Sequence, residues 1–228
     1  PISHQMIHSF ITVEFGPKLH ELGYGRGDRV ALVLPNGPEL ALAILCTVHW
    51  ASCVPLNAFG AHTELMSDLK ACGADLVIGL SGAASNSFQH VQDIARDLGI
   101  PFVGLEQSQS YCGIFKLAVP PGNETLIQNH RKAHSSHANE ASHSRLRNEY
   151  SDRDFQLPNA HEDEVMVLFI SGTTGSKKFV SHLLGEILVA TAVISVSWKL
   201  SSEDVNRNLM PLFHVCEIVC QIFSPALS

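Results

Sequence analysis

Several absences narrow what this chain can be. None of its six cysteines pair at the C-x-x-C spacing of a zinc ribbon or a redox site. No run of about 18 uninterrupted apolar residues occurs, so no membrane-spanning helix is expected. The first residues carry no secretory signal pattern, and no internal repeat is visible. No basic cluster offsets the acidic balance: 15 basic against 22 acidic residues leave a net charge of −7. That disfavours nucleic acid and anionic membranes as partners. Charged residues are only 16% of the chain and apolar residues 45%, which excludes a chain disordered throughout and argues against a coiled coil. The 228 residues allow one large domain or two small ones.

The cysteines, Cys46, Cys53, Cys72, Cys112, Cys216 and Cys220, are scattered and mostly lie in apolar runs. They read as small buried hydrophobes of a reducing compartment, so a cytoplasmic location is expected. The chain opens on Pro1 in helix-like sequence and stops at Ser228 in mid-pattern. Both termini are therefore expected to be cut.

Up to residue 120, helix and strand signals alternate. Met6, Ile7, Phe10, Ile11, Leu19 and Leu22 recur at helical spacing, with Pro17 expected to kink or split the helix. Arg29 to Leu34, Asp75 to Leu80 and Pro101 to Leu105 are short, nearly continuous apolar runs, as in strands buried on both faces. Helices are expected at Glu39 to Trp50, His62 to Cys72 and Phe88 to Leu98, the last two closed by Gly73 and Gly99. Strands separated by such helices mean βαβ units: an α/β fold with a mainly parallel sheet flanked by helices.

Residues 121–163 differ. They are rich in His, Ser, Asn and Glu and poor in large apolar side chains, which reads as a flexible surface insertion between residues 1–120 and 164–228. His130, His134 and His137 have i, i+4, i+7 spacing and could share a helical face toward a metal. A solvated polar linker is the preferred reading, because no apolar face would hold that helix for ligation. Apolar order returns with a strand at Val165 to Ile170, a helix from His182 to Trp198, a strand at Asn208 to Phe213 and a helix from His214.

The most informative residues are Leu168 to Val180, LFISGTTGSKKFV. A buried strand delivers the chain to Ser171-Gly172-Thr173-Thr174-Gly175-Ser176. Two glycines let the backbone fold tightly, and successive N–H groups in such a turn form an anion-binding concavity. The hydroxyls add donors suited to phosphate oxygens, and Lys177 and Lys178 add positive charge at the exit. This is not a Walker A loop, since the glycines are three apart and neither lysine precedes Ser or Thr. An ordinary Ser/Thr/Gly connection is the alternative.

Those residues resemble the signature loop of the adenylate-forming enzymes, the superfamily of acyl-CoA synthetases, luciferases and nonribosomal peptide synthetase adenylation domains. Gly27 to Leu32 with Leu34 to Glu39, Ala51 to Asn57 (ASCVPLN), Ala74 to Val77 and Met210-Pro-Leu-Phe-His214 resemble further family segments in the family's order. Fungal-type acyl-CoA ligases and synthetase-like reductases look most similar. The resemblance implies that a carboxylate attacks the α-phosphate of ATP, accompanied by Mg2+, to give an acyl-adenylate. A thiol then takes the acyl group, from coenzyme A or from the phosphopantetheine of a carrier protein. It implies that Ser171, Gly172, Thr173, Thr174, Gly175 and Lys178 hold the phosphates, and that His214 borders the acyl pocket.

The pattern also departs from the family's. Lys177 stands where the family usually has proline, Ile170 replaces a threonine, and Cys216-Glu217 replaces a usual glycine pair. A soft metal site at His214, Cys216 and Cys220 is disfavoured, because no fourth ligand lies nearby. The chain is expected to be the incomplete N-terminal part of the family's large domain, working with downstream domains of a larger synthetase and inactive in adenylation alone. A truncated nucleotide-binding protein and a degenerate product are the alternatives.

Overall fold

A computed structural model describes residues 2–81, 88–135, 156–170 and 177–227. The chain enters through one helical path: α1 (His4–Ser9), a π-helical stretch Phe10–Phe15, and α2 (Gly16–Leu22). The Ser3 hydroxyl caps its start, accepting from the Met6 N–H at 3.2 Å. Pro17 does not split this path; the helix widens into π turns just ahead of it and continues. Trp50 packs at that point. Its indole N–H donates to the Ile11 carbonyl at 2.9 Å. A Cβ on Gly16 would lie 2.5 Å from the Trp50 ring, so only glycine admits this approach.

The remaining elements are β1 (Arg29–Val33), α3 (Pro38–Trp50), β2 (Ser52–Pro55), α4 (His62–Cys72), β3 (Leu76–Leu80), α5 (Gln89–Leu98), β4 (Phe102–Gln107), β5 (Phe115–Ala118), α6 (Glu124–Ser135), β6 (Glu164–Ile170), β7 (Lys178–Leu183), α7 (Leu184–Trp198), α8 (Val215–Ile218), a second π-helical stretch Val219–Phe223, and α9 (Ser224–Ala226). The strands form one seven-stranded sheet in the order β5-β4-β3-β1-β2-β6-β7. The five inner strands are parallel, and β5 and β7 run antiparallel at the two edges. The expected α/β class with a mainly parallel sheet is therefore what forms. β2 and β3 are buried at every position and β1 at all but its first. Such strands must be apolar on both faces, and their sequences are.

The connection from β1 to β2 runs one way along the sheet, and those to β3 and β4 run the other. Right-handed crossovers then put α3 on one face, and α4 packed on α5 on the other. The expected caps are present: α4 and α5 end at Gly73 and Gly99, both left-handed, with φ of 62° and 68°.

Three stretches differ from expectation. Asn208 to Phe213 is not a strand. The Asn208 side-chain oxygen accepts from the Met210 N–H at 2.9 Å, Pro211 follows, and the segment is held by contacts outside the sheet. The antiparallel partner of β6 is instead β7, so the next helix begins at Leu184 rather than His182. Residues 121–163 are not structureless throughout, since they open with α6 and close on a docked segment.

In that docked segment, the Asn159 side-chain amide donates to the carbonyls of Val48 and Ala51 at 2.8 and 2.9 Å. Its backbone N–H donates to the His49 carbonyl at 2.9 Å, so one residue satisfies the open end of α3. Asp163 and Glu164 then form bidentate pairs with Arg26 and Arg29. These contacts lock β6 into the sheet beside β2. His130 stacks on Tyr24 with ring centroids 4.3 Å apart. His137 and the side chain of His134 lie outside the described residues, and so does the i, i+4, i+7 cluster as a unit. No helix among the described residues is long and apolar enough to cross a membrane.

Candidate functional site at the carboxyl edge of the sheet

In a parallel sheet the connections leaving the carboxyl ends of the strands are where ligands meet the fold. Here β6 ends at Ile170, which pairs with Lys178 across the β6–β7 hairpin. Both ends of the Ser171 to Lys177 connection are therefore fixed at that edge. Ser171, Gly172, Thr173, Thr174 and Gly175 themselves lie outside the described residues.

The two lysines at the exit have different surroundings. The Lys177 ammonium lies 2.6 Å from Glu64 Oε1 and 2.7 Å from Asp68 Oδ2, and 5.9 Å from the centroid of the Phe169 ring. Glu64 and Asp68 occupy the first two turns of α4, which starts from the same edge of the sheet. The Asp68 side chain is only 10% exposed, whereas Lys177 and Glu64 are partly open to solvent. The hydrogen bond and charge of Lys177 hold the Glu64 carboxyl below its ordinary range. Burial pulls the Lys177 ammonium downward, but its bonds to Asp68 and Glu64 outweigh that and hold it above the usual lysine range. The Lys178 side chain is exposed, with no hydrogen bond or ion pair among the described residues.

The segment bearing His214 reaches the same edge by another route. Asn36, in the turn after β1, donates from its side-chain amide to the Met210 carbonyl at 2.9 Å. The Asn36 side-chain oxygen accepts from the Leu212 N–H at 2.8 Å. One amide side chain thus pairs with that backbone much as a strand would, and Leu212 is buried beneath it. His214 follows, exposed, with its ring 4.7 Å from that of Phe213 and its carbonyl accepting from the Ile218 N–H at 3.1 Å. The fold thus brings Lys178 and the segment that leads to His214 to the carboxyl edge of the sheet.

Asn36, Glu64 and Asp68 were not singled out in the sequence. The signal for the carboxylates was present: like charges at i, i+4 on a helix repel and favour a cation between them. Asn36 entered only as part of Leu34 to Glu39, a segment that resembles the family's. Cys216 and Cys220 bring their sulfurs to 3.8 Å, with burial pushing the Cys220 thiol up to about 11. Among the described residues no group of three or more His, Cys, Asp or Glu side chains could hold a metal ion.

The sequence matches the family described as AMP-binding enzyme over residues 14–228. An acyl-CoA synthetase from Gibberella moniliformis is 31% identical over 214 residues, covering 91% of this chain and 35% of that protein. A 4-coumarate–CoA ligase from Petroselinum crispum is 28% identical, covering 86% of this chain and 31% of that protein. The chain thus spans about a third of the length of the curated relatives it matches. Among solved structures, ATP-bound MatB from Rhodopseudomonas palustris has the same fold, with a TM-score of 0.68 at 18% identity, covering 99% of this chain and 38% of that one. The o-succinylbenzoate CoA synthetase of Bacillus subtilis, solved with an acyl-adenylate intermediate, has a TM-score of 0.63 at 14% identity, covering 99% of this chain and 47% of that one.

Proposed function

Since this chain belongs to the AMP-binding enzyme family, we propose that it contributes the nucleotide-phosphate part of an ATP-dependent acid–thiol ligase. In that reading a carboxylic acid is activated to an acyl-adenylate and passed to a thiol, that of coenzyme A or of a carrier-protein phosphopantetheine. Ser171, Gly172, Thr173, Thr174 and Gly175 offer backbone N–H groups and hydroxyls to the β- and γ-phosphates, and Lys178 neutralises them. Magnesium arrives with the ATP, as the counter-ion of its phosphates. His214 borders the acyl pocket, and a cytoplasmic location fits the free thiols.

The observation that supports this reading is the β6–β7 pairing, which holds Ile170 and Lys178 on either side of the SGTTGSK sequence at the carboxyl edge, with the Lys178 side chain exposed and without an ion pair among the described residues. A phosphate chain gains most from donors and a cation positioned before it arrives.

MgATP titrated into the chain tests it, with Lys178→Ala as the control. Saturable binding that is lost in Lys178→Ala supports the site. Binding unaffected by Lys178→Ala would refute the role given to that lysine. Pyrophosphate exchange with candidate acids, in a protein that also carries the downstream family motifs, tests the reaction. Nucleotide binding without exchange in such a protein would leave a binding function and remove the ligase reading.

A further inference from the structure

We propose that Lys177 is a positioning residue of the nucleotide site: it ties the exit of the glycine loop to α4, leaving Lys178 as the lysine that meets phosphate. The inference rests on the phosphate-site reading given above and goes beyond it.

Two short contacts and one ring define the arrangement. The Lys177 ammonium bridges Glu64 and Asp68 at 2.6 and 2.7 Å and faces the Phe169 ring at 5.9 Å. The three partners come from α4 and from β6, so the cation joins the helix layer to the strand that enters the loop. Its contacts also serve the partners. Glu64 and Asp68, one helical turn apart, would repel each other, and Asp68 is nearly buried. An ammonium between them relieves both costs, so leaving for a phosphate would expose Lys177 to the combined pull of two carboxylates. Lys178 has no such competing partner among the described residues.

The position has a further meaning. Proline is usual here in the family that the loop resembles, and proline stiffens a loop exit by fixing φ. In this chain a three-way ionic contact takes the place of the ring. Stiffness built from ion pairs that are partly open to solvent is screened by salt, whereas a ring constraint is not.

The test uses the full chain, Lys177→Met, and the reversed pair Asp68→Lys with Lys177→Glu, each followed by two measurements. Amide hydrogen exchange across Phe179 to Leu183 reads the anchor, and MgATP titration reads its effect on the site. In Lys177→Met the β7 amides should exchange faster and affinity should fall by about two- to fivefold, the scale of a half-exposed ion pair. The reversed pair should return both toward the parent values. Unchanged β7 exchange in Lys177→Met would overturn the anchor, whether or not nucleotide binds. Restored exchange with affinity still as low as in Lys177→Met would overturn the positioning role and make Lys177 a direct phosphate ligand. A parent chain that binds no MgATP would refute the phosphate-site reading and the positioning role with it, while the exchange measurement would still show whether the tie to α4 exists.

Discussion

β3 and α7 are made of the same kinds of residue, LVIGL in one and LGEILVATAVISVSW in the other, and the fold treats them oppositely. Every residue of β3 is buried, between β1 and β4 within the sheet and under helices on its faces. Only Ile187 and Thr191 of α7 are buried, while Val189, Val193, Val196 and Trp198 are exposed, Val196 at 78%. β7, which leads into α7, is exposed at nearly every position. A helix apolar all round is ordinarily an interior helix. The difference shows that apolar composition sets what a segment can bury, while its place in the topology sets what it does bury. β3 was laid between neighbours on both sides; α7 follows an edge strand and, among the described residues, packs chiefly on β6, β7 and the helical turns near the end of the chain, with its first turn tied to His161 and Asp163.

Thiol chemistry gives the largest contrast between the two regions. Burial pushes the Cys72 thiol up to about 12 and the Cys46 and Cys53 thiols well above their ordinary value. At pH 8 the Cys72 thiolate is scarcer than that of a free thiol by about a thousandfold, before any steric protection is counted. Alkylation of the native chain followed by peptide mass mapping should label the exposed Cys112 and Cys216 and spare Cys46, Cys53 and Cys72. The sign for stability follows from the same shifts. Thiols that stay neutral in the fold but ionise when unfolded stabilise the fold fully below the ordinary thiol value, and progressively less as pH rises toward 12. Denaturant midpoints should therefore fall above about pH 9. Rapid native labelling of Cys53 would mean that the interior opens as readily as the edge.

Next in size is Arg29→Met. Arg29 holds Glu164 bidentately at 2.8 and 2.9 Å and donates to the Cys72 carbonyl at 2.8 Å. Glu164 would be left nearly buried without its cation, at a cost of about 3–5 kcal/mol in urea unfolding. A loss under 1 kcal/mol would show that the Glu164 side chain reaches water when unpaired.

The smallest effect sharpens the comparison most. Ile78→Ala in β3 should cost about 2–5 kcal/mol, whereas Val193→Ala in α7 should stay within about 0.5 kcal/mol. Equal costs, measured by the same denaturant midpoints, would mean that α7 is covered in solution and that the contrast between the two regions is wrong.

The parallel interior was legible because strands buried on both faces leave unbroken apolar runs, as in Val30 to Leu34 and Leu76 to Leu80. β2, β5 and β7 were not, because they are short, or at an edge, or hold a proline, and so carry little pattern of their own. Asn208 to Phe213 misled for the converse reason: its apolar residues imitate a buried strand, but Leu209 and Met210 are exposed, Leu212 alone of the stretch is buried, and its backbone is held by Asn36 rather than by strand pairing. For the candidate site, residue types alone suggested the loop's chemistry, through its glycines, hydroxyls and lysines. The different surroundings of Lys177 and Lys178 were not legible, because they depend on contacts with residues 109 and 113 positions away.

The docking of Asn159 and Asp163 has a consequence for how the chain can vary. These residues fix where the backbone returns to the fold, through the carbonyls of Val48, His49 and Ala51 and through Arg26. The return point is thus held by contacts of its own, independent of whatever chain joins Ser135 to Asn159. Lengthening a flexible connection between two fixed points is cheap, about 0.6 kcal/mol for each doubling of its length. A reporter peptide, a protease site or a second small domain placed there would leave the sheet, the hairpin and the carboxyl edge where they are.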